Sequence, residues 1–329
     1  LAAPRAVRTV VLSVAGCAAM LFSTGQAAVA QQDQGPAVFR TDTRLVVLHA
    51  SVVDKSGKLV TNLPQSAFKV YENGTEQPIK LFKREDVPVS MGILIDDSGS
   101  MRDKRAKVAA AALALVKASN PQDEVFIVNF NDEAYLDQPF TNDINKMEQA
   151  LEKIDSRGGT AMRDAISMSI DYMNKHHKRD KKVILVVTDG NDTASSETLE
   201  KLVQKARQSE VLIYGIGLLN EEEPREAKKA QRALKALTEA SGGMVYYPKL
   251  LPEVDKVALQ VAHEIRNQYI IAYTPNIQAL DGSFRQIKVT VNGPGHPTVR
   301  TRNGYYATPD QNEREASALG KRAAAASTQ

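Results

Sequence analysis

Tryptophan is absent from this 329-residue chain, and cysteine occurs once, as Cys17. A lone thiol cannot close an internal disulfide, and one Cys among scattered histidines cannot assemble a structural zinc site. Of the five histidines only His176 and His177 are close together. There is no glycine repeat and no heptad run, which excludes collagen-like and coiled-coil architectures. The chain also lacks a strong excess of one charge, with 42 Lys and Arg against 39 Asp and Glu. The two signs are mixed along the chain, without a dense basic stripe interleaved with aromatics, so no nucleic-acid partner is expected. A multi-span membrane protein is excluded too: the apolar run Val10 to Phe22 covers about 13 residues, and a span needs about 20. What is present is ordinary for a folded protein: 43% hydrophobic and 25% charged residues, in a length that suits two domains.

The apolar run has a context of its own. Arg5 and Arg8 precede it, no acid lies near, and small residues lead to Ala28-Val29-Ala30 before Gln31. A basic region, a short apolar core and an A-x-A exit predict a secretory signal over residues 1–30, cleaved after Ala30. Val14-Ala15-Gly16-Cys17 resembles a bacterial lipobox, in which lipidation of Cys17 would tether the protein to a membrane. Apolar residues continue past the Cys, which favours cleavage after Ala30. Either route predicts a secreted, periplasmic or cell-surface protein, with membrane contact only if Cys17 is lipidated.

Val46, Leu48, Ala50 and Val52 alternate with other residues, the period of a half-buried strand. Phe68 and Val70 alternate again, Asn73-Gly74 signals a tight hairpin, and Ile79, Leu81 and Phe82 give the next strand. Residues 31–87 thus form an N-terminal β flank too small to bury a core alone. From residue 88 the texture changes. Gly92–Ile95, Val125–Val128, Val183–Val187 and Val211–Tyr214 are short runs buried on both faces. Between them Arg102–Ser119, Leu199–Ala206 and Val254–Ile265 keep helical spacing. The alternation predicts an α/β unit over 88–274: a doubly wound, mostly parallel sheet with helices on both faces. After Thr274-Pro275 a strand pattern returns at Ile287, Val289 and Val291, with one more expected between Val299 and Tyr306. This C-terminal flank, 275–308, is expected to join the first in one small β-sandwich, into which the α/β unit is inserted. Residues 309–329 read as a disordered tail.

Chemistry concentrates after the first buried strand, in Asp96-Asp97-Ser98-Gly99-Ser100. Ligands of doubly wound sheets bind beyond the carboxyl ends of strands, and Asp96, Ser98 and Ser100 put oxygens there. Thr160 lies in the Gly-rich loop Gly158-Gly159-Thr160-Ala161, and Asp189 ends another buried strand. Oxygen donors of this kind suit a hard divalent cation. Two milder readings also fit the residues one by one: Asp96 and Ser98 as helix caps, and Asp189-Gly190 as a plain turn.

In its order and context, D-x-S-x-S followed by Thr160 and Asp189 resembles the metal-ion-dependent adhesion site of von Willebrand factor type A domains. Phe82–Pro88, Gln268–Pro275 and Arg302–Tyr306 are further similar to secreted bacterial proteins described as von Willebrand factor A-related. The resemblance implies a Rossmann-like fold and Mg²⁺ as the bound ion, with Mn²⁺ or Ca²⁺ as substitutes. It implies that Ser98 and Ser100 ligate directly, that Thr160 does so when a partner is engaged, and that Asp96 and Asp189 hold the ion directly or through water. The implied partner is a protein presenting an Asp or Glu carboxylate. Cell adhesion and protein–protein interaction follow, with no small-molecule substrate and no enzymatic step. A scaffold in the cell envelope whose metal is mainly stabilising is the alternative.

Catalytic readings lack parts. Asp97-Ser98-Gly99 and Gly159-Thr160-Ala161-Met162 echo subtilisin-like motifs, but Ala161 stands where the nucleophile belongs. A phosphatase would want an acid where Ser98 is. No nucleotide-binding Gly-rich motif occurs, and His263-Glu264 lacks a second His at zincin spacing.

Overall fold

The computed structural model describes residues 45–84, 86–152 and 156–308. The expected signal segment with Cys17 and Ala30, and the expected tail 309–329, lie outside the described residues.

The N-terminal flank supplies β1 (Val46–Val53), β2 (Phe68–Glu72), β3 (Thr75–Gln77) and β4 (Ile79–Lys83). Strands β2 and β3 are joined through Asn73 and Gly74, at φ 47° and 83°. Two consecutive positive φ values match the twist of the paired strands, which is why this dipeptide marks a hairpin.

The α/β unit follows: β5 (Val89–Asp96), α1 (Arg105–Lys117), β6 (Glu124–Phe130), β7 (Ala134–Thr141), α2 (Ile144–Glu152), α3 (Met162–His176), β8 (Lys181–Thr188), α4 (Leu199–Ser209), β9 (Leu212–Gly217), α5 (Pro224–Ser241), β10 (Val245–Tyr246) and α6 (Val254–Arg266). Its sheet order is β10-β9-β8-β5-β6-β7, parallel except for the β6–β7 pair. Both faces are dry. Met91, Ile93 and Ile95 of β5 join α1, α2 and α6 in one core, while Leu94 joins α3, α4 and α5 in the other. The expected helices-on-both-faces architecture is therefore the observed one. Strand β7 gives no sequence signal because it is an edge strand interrupted by Pro139, with half of its residues exposed and none fully buried.

The C-terminal flank adds β11 (Tyr269–Tyr273), β12 (Phe284–Val291), β13 (Thr298–Arg300) and β14 (Gly304–Tyr306). Two antiparallel sheets result, β13-β1-β11-β4 and β14-β12-β2-β3. They share one core that includes Leu48, Val70, Tyr269, Ile271 and Ile287. N- and C-terminal flanks pair directly, β1 with β13 and β2 with β12. Two details differ from the sequence expectation. Tyr269–Tyr273 was expected to close the α/β unit at residue 274, but it pairs with β1 and β4 in the flanking sheet. An apolar run buried on both faces cannot by itself say which sheet it joins. The single strand expected between Val299 and Tyr306 is two strands, β13 and β14, in different sheets.

A buried acid ties the layers together. Glu264, on the last turn of α6 and 2% exposed, accepts hydrogen bonds from Ser51 Oγ at 2.9 Å, Tyr246 OH at 2.7 Å, Tyr214 OH at 3.2 Å and Arg300 at 2.8 Å. Ser51 and Arg300 belong to the flanking strands, the two tyrosines to the parallel sheet. The charge is tolerated because Arg300 neutralises it and its oxygens are satisfied.

Three outcomes follow from this packing. Residues 31–87 alone should show no cooperative unfolding, because β1 and β4 would lose all their partners and β2 would keep only β3; a sigmoidal thermal melt by circular dichroism would contradict the pairing. Glu264→Ala should cost about 3–5 kcal/mol in urea unfolding, by leaving the Arg300 charge uncompensated and removing the acceptor of three hydroxyls. His49 of β1 gives a pH effect. Its Nδ1 is enclosed with no partner among the described residues, and burial, with Lys181 and Arg302 nearby, holds its pKa well below the ordinary imidazole range. The folded protein keeps His49 neutral while the unfolded chain takes up a proton below about pH 6.5, so stability falls as pH drops through that range. Comparing urea midpoints of the wild type and His49→Gln from pH 7.5 to 5 should show the wild type losing up to about 1.4 kcal/mol per pH unit more than the variant.

Candidate metal centre

Strand β5 is central, with β6 on one side and β8 on the other. The chain leaves β5 for β6 through α1 and leaves β8 for β9 through α4, so the connections diverge at the carboxyl ends of β5 and β8. Such a divergence leaves a crevice where ligands of α/β sheets bind. Asp96 is the last residue of β5, and Thr188 and Asp189 stand at the end of β8.

Asp96 is 1% exposed. One of its oxygens accepts the Ser98 N–H at 2.9 Å and the other accepts the Thr188 hydroxyl. Burial lifts its pKa to about 6 against the pull of these bonds, and the neighbouring Asp189 adds to the rise. The acid is therefore short of positive charge. Ser98 Oγ lies 3.1 Å from Ser100 Oγ, which donates to Asp189 Oδ1 at 2.9 Å. Asp96, Ser98, Ser100 and Asp189 thus form one hydrogen-bonded chain across two strand ends. Asp96, Ser98 and Asp189 are buried, while Ser100 is exposed and faces the outside.

Thr160 arrives by a different route. Its loop is fastened to the first by backbone bonds from Gly99 N–H to Gly158 O at 3.2 Å and from Arg157 N–H to Asp97 O at 2.9 Å, and by the Ser156 hydroxyl on Asp97 Oδ1 at 2.8 Å. Gly158 holds φ at 73°, and an added Cβ would lie 2.1 Å from an Asp132 oxygen. Glycine is thus required on both counts. Asp132 accepts the Gly159 N–H at 2.8 Å, and Thr193 Oγ1 accepts the Thr160 N–H at 3.0 Å. Thr160 is buried, but among the described residues its hydroxyl shares no hydrogen bond with the other four. The loop is brought in; the hydroxyl is not yet engaged.

The donor set fits a hard cation in kind. It is all oxygen, two carboxylates and three hydroxyls, and no group of three His, Cys, Asp or Glu side chains forms a metal cluster among the described residues. One group weighs the other way. Lys104 donates to Asp189 Oδ2 at 2.7 Å and also pairs with Glu221 at 2.9 Å. Asp189 already has a positive neighbour.

Sequence reasoning missed Lys104, Thr188, Asp132 and Ser156. Each touches the site through a contact between distant segments, so no local pattern announces it. Asp192 supports the neighbouring loop: its carboxylate accepts the Arg163 N–H at 2.7 Å and pairs with the Arg163 guanidinium at 2.9 Å. Neither Asp96 nor Ser98 caps α1 through its side chain; Ser98 precedes a short 3-10 turn, Gly99–Met101, and α1 starts beyond it.

Comparison with known proteins bears on this region. A stretch of 146 residues is 25% identical to the inter-alpha-trypsin inhibitor heavy chain H4 of Bos taurus, covering 40% of this chain and 16% of that protein. An uncharacterized protein of Synechocystis sp., sll0103, is 24% identical over 186 residues, 54% of this chain and 44% of the relative. The chain therefore spans less than half the length of these curated relatives. Among solved structures, a von Willebrand factor type A protein from Catenulispora acidiphila superposes with a TM-score of 0.48 at 14% identity, covering 83% of this chain and 76% of that one. The vWF domain of the type V pili tip protein Mfa5 from Porphyromonas gingivalis gives 0.45 at 14% identity, covering 55% and 97%. Residues 91–191, which contain all five candidate oxygens, match the family model for the von Willebrand factor type A domain. That stretch, set in the doubly wound sheet, is thus similar to a von Willebrand factor type A domain.

Proposed function

We propose that this protein is an exported, metal-dependent binding module that captures an acidic side chain of a protein partner. The observation that carries the reading is the hydrogen-bonded chain from Ser98 through Ser100 to Asp189 at the carboxyl ends of β5 and β8. A bound Mg²⁺, or Mn²⁺ or Ca²⁺ in its place, would supply positive charge and an open position for a carboxylate. The chain's own residues do the rest. Ser98 and Ser100 offer neutral oxygens, so charge is left over for the partner's acid. Asp96 and Asp189 supply the negative charge that retains the ion. The Gly158–Gly159 turn would present Thr160 to the same ion. Exposed Ser100 marks the side from which the partner approaches. No bond is made or broken in the partner, so the protein acts without catalysis. Export rests on the N-terminal sequence pattern; among the described residues no helix is long and apolar enough to cross a membrane.

A second reading is favoured by the Lys104–Asp189 pair. Lys104 partly compensates Asp189, and in this reading the ion would mainly stabilise an envelope scaffold. Two measurements separate these ideas. Saturating Mg²⁺ should raise the melting temperature by roughly 5 °C or more over an EDTA sample, because a ligand bound only by the native state stabilises it. Ser98→Ala/Ser100→Ala should abolish that rise while circular dichroism stays unchanged. No response to Mg²⁺, Mn²⁺ or Ca²⁺ would overturn the site. Pull-down from an envelope extract should then retain a partner in Mg²⁺ and lose it in EDTA and in the double variant; retention in EDTA would favour the scaffold.

A further inference from the structure

The opposite end of the parallel sheet holds a second cleft, unlike the first in chemistry. Its cavity is about 700 Å³, within the range of small-molecule pockets. It opens where the amino-terminal ends of β5, β8 and β9 meet the flanking sheet β13-β1-β11-β4. An eight-residue strand separates it from the candidate metal centre, roughly 25 Å at the rise of a strand.

The flanking sheet lends apolar walls through Val47, Leu81 and Ile270, and β9 contributes Leu212. Around them the charge is one-sided. Six Lys and Arg and two His line the cavity, against two acids, Asp180 and Glu210. Glu210 is engaged by Arg302 at 3.3 Å. Lys181 is 3% exposed, and its ammonium donates to the Ile265 carbonyl, a neutral group. Burial lowers its pKa to about 8, and Asp86, Asp123 and Glu264 only partly oppose this. His49, on the same wall, is held neutral with Lys181 and Arg302 contributing. Among the described residues Lys178 makes no side-chain ion pair, and the Arg179 guanidinium donates to the Gln122 carbonyl, again a neutral partner. Cations gathered around a partly apolar hollow raise one another's cost unless an anion joins them.

We infer that this cleft binds a small amphipathic organic anion, a carboxylate or phosphate carried on an apolar body. The apolar walls take the body, and Lys178 and Arg179 at the rim take the charge. Both residues hold their loop through backbone N–H groups that bond Ser90 and Glu124, so side-chain truncation should leave the fold intact.

The test uses the folded protein and four probes in calorimetric titration: benzoate, phenyl phosphate, inorganic phosphate and benzyl alcohol. The first two separate carboxylate from phosphate, and the last two remove the apolar body or the charge. Expected is saturable binding of benzoate or phenyl phosphate, weakened by added salt, with both control probes at least roughly tenfold weaker. Lys178→Ala/Arg179→Ala should weaken it by roughly tenfold or more, and Leu81→Trp, which fills the hollow, should abolish it. Ser98→Ala/Ser100→Ala should leave it unchanged, so failure here is distinct from failure of the metal site. The inference is overturned if neither anion saturates at millimolar concentration, if benzyl alcohol or inorganic phosphate binds as tightly, or if the folded double variant binds like the wild type.

Discussion

Everything at the upper end of this molecule depends on a carboxylate buried at the end of the first parallel strand. Asp96 lies beneath the surface, where water cannot solvate its charge, and two hydrogen bonds only partly offset that cost. Its position is set by the sheet: β5 is the strand from which the connections diverge, and β8, its neighbour, brings Asp189 alongside. Two acids held close in a poorly solvated crevice repel one another, and the surrounding hydroxyls and Lys104 offset that repulsion. The Gly158 turn and its anchors to Asp97, Gly99 and Asp132 then fix the third loop against the other two.

The parallel sheet thus has two chemically opposed ends. Acids and hydroxyls gather at the carboxyl ends of the strands, and lysines and arginines at the amino ends, where the flanking sheet closes a cleft. The flanks are more than a mount. They contribute walls to that cleft, and through Ser51 and Arg300 they grip Glu264 on the last turn of α6. Helix α6 packs in the same core as β5 and α1, and Lys107 of α1 pairs with Asp255 of α6. The elements that carry the oxygen site therefore share a packed layer with the helix that the flanks hold.

The location of β11 shows how the two halves were joined. Its five residues are as apolar as any strand of the parallel sheet, yet they pair antiparallel with β1 and β4. The chain leaves α6 and crosses at once into the flank, where Tyr269 and Tyr273 fill the sandwich core. Tyr269 OH bonds the Val60 carbonyl, and Tyr273 OH bonds Glu72. These phenols are thus satisfied by N-terminal partners about 200 residues away in the chain.

The sequence alone determined the alternation of buried strands with amphipathic helices, the Asn73-Gly74 hairpin, four oxygen residues at or just after strand ends and Thr160 in its Gly-rich loop. These are legible because periodicity and turn chemistry are local properties of the chain. Only the tertiary structure decided that β11 belongs to the flank, that β7 closes the sheet edge, that Lys104 meets Asp189 and that Glu264 is buried among Ser51, Tyr214, Tyr246 and Arg300. Each of these depends on contacts between distant segments. A side chain's charge or apolarity announces that it needs a partner, but only the folded chain selects which one.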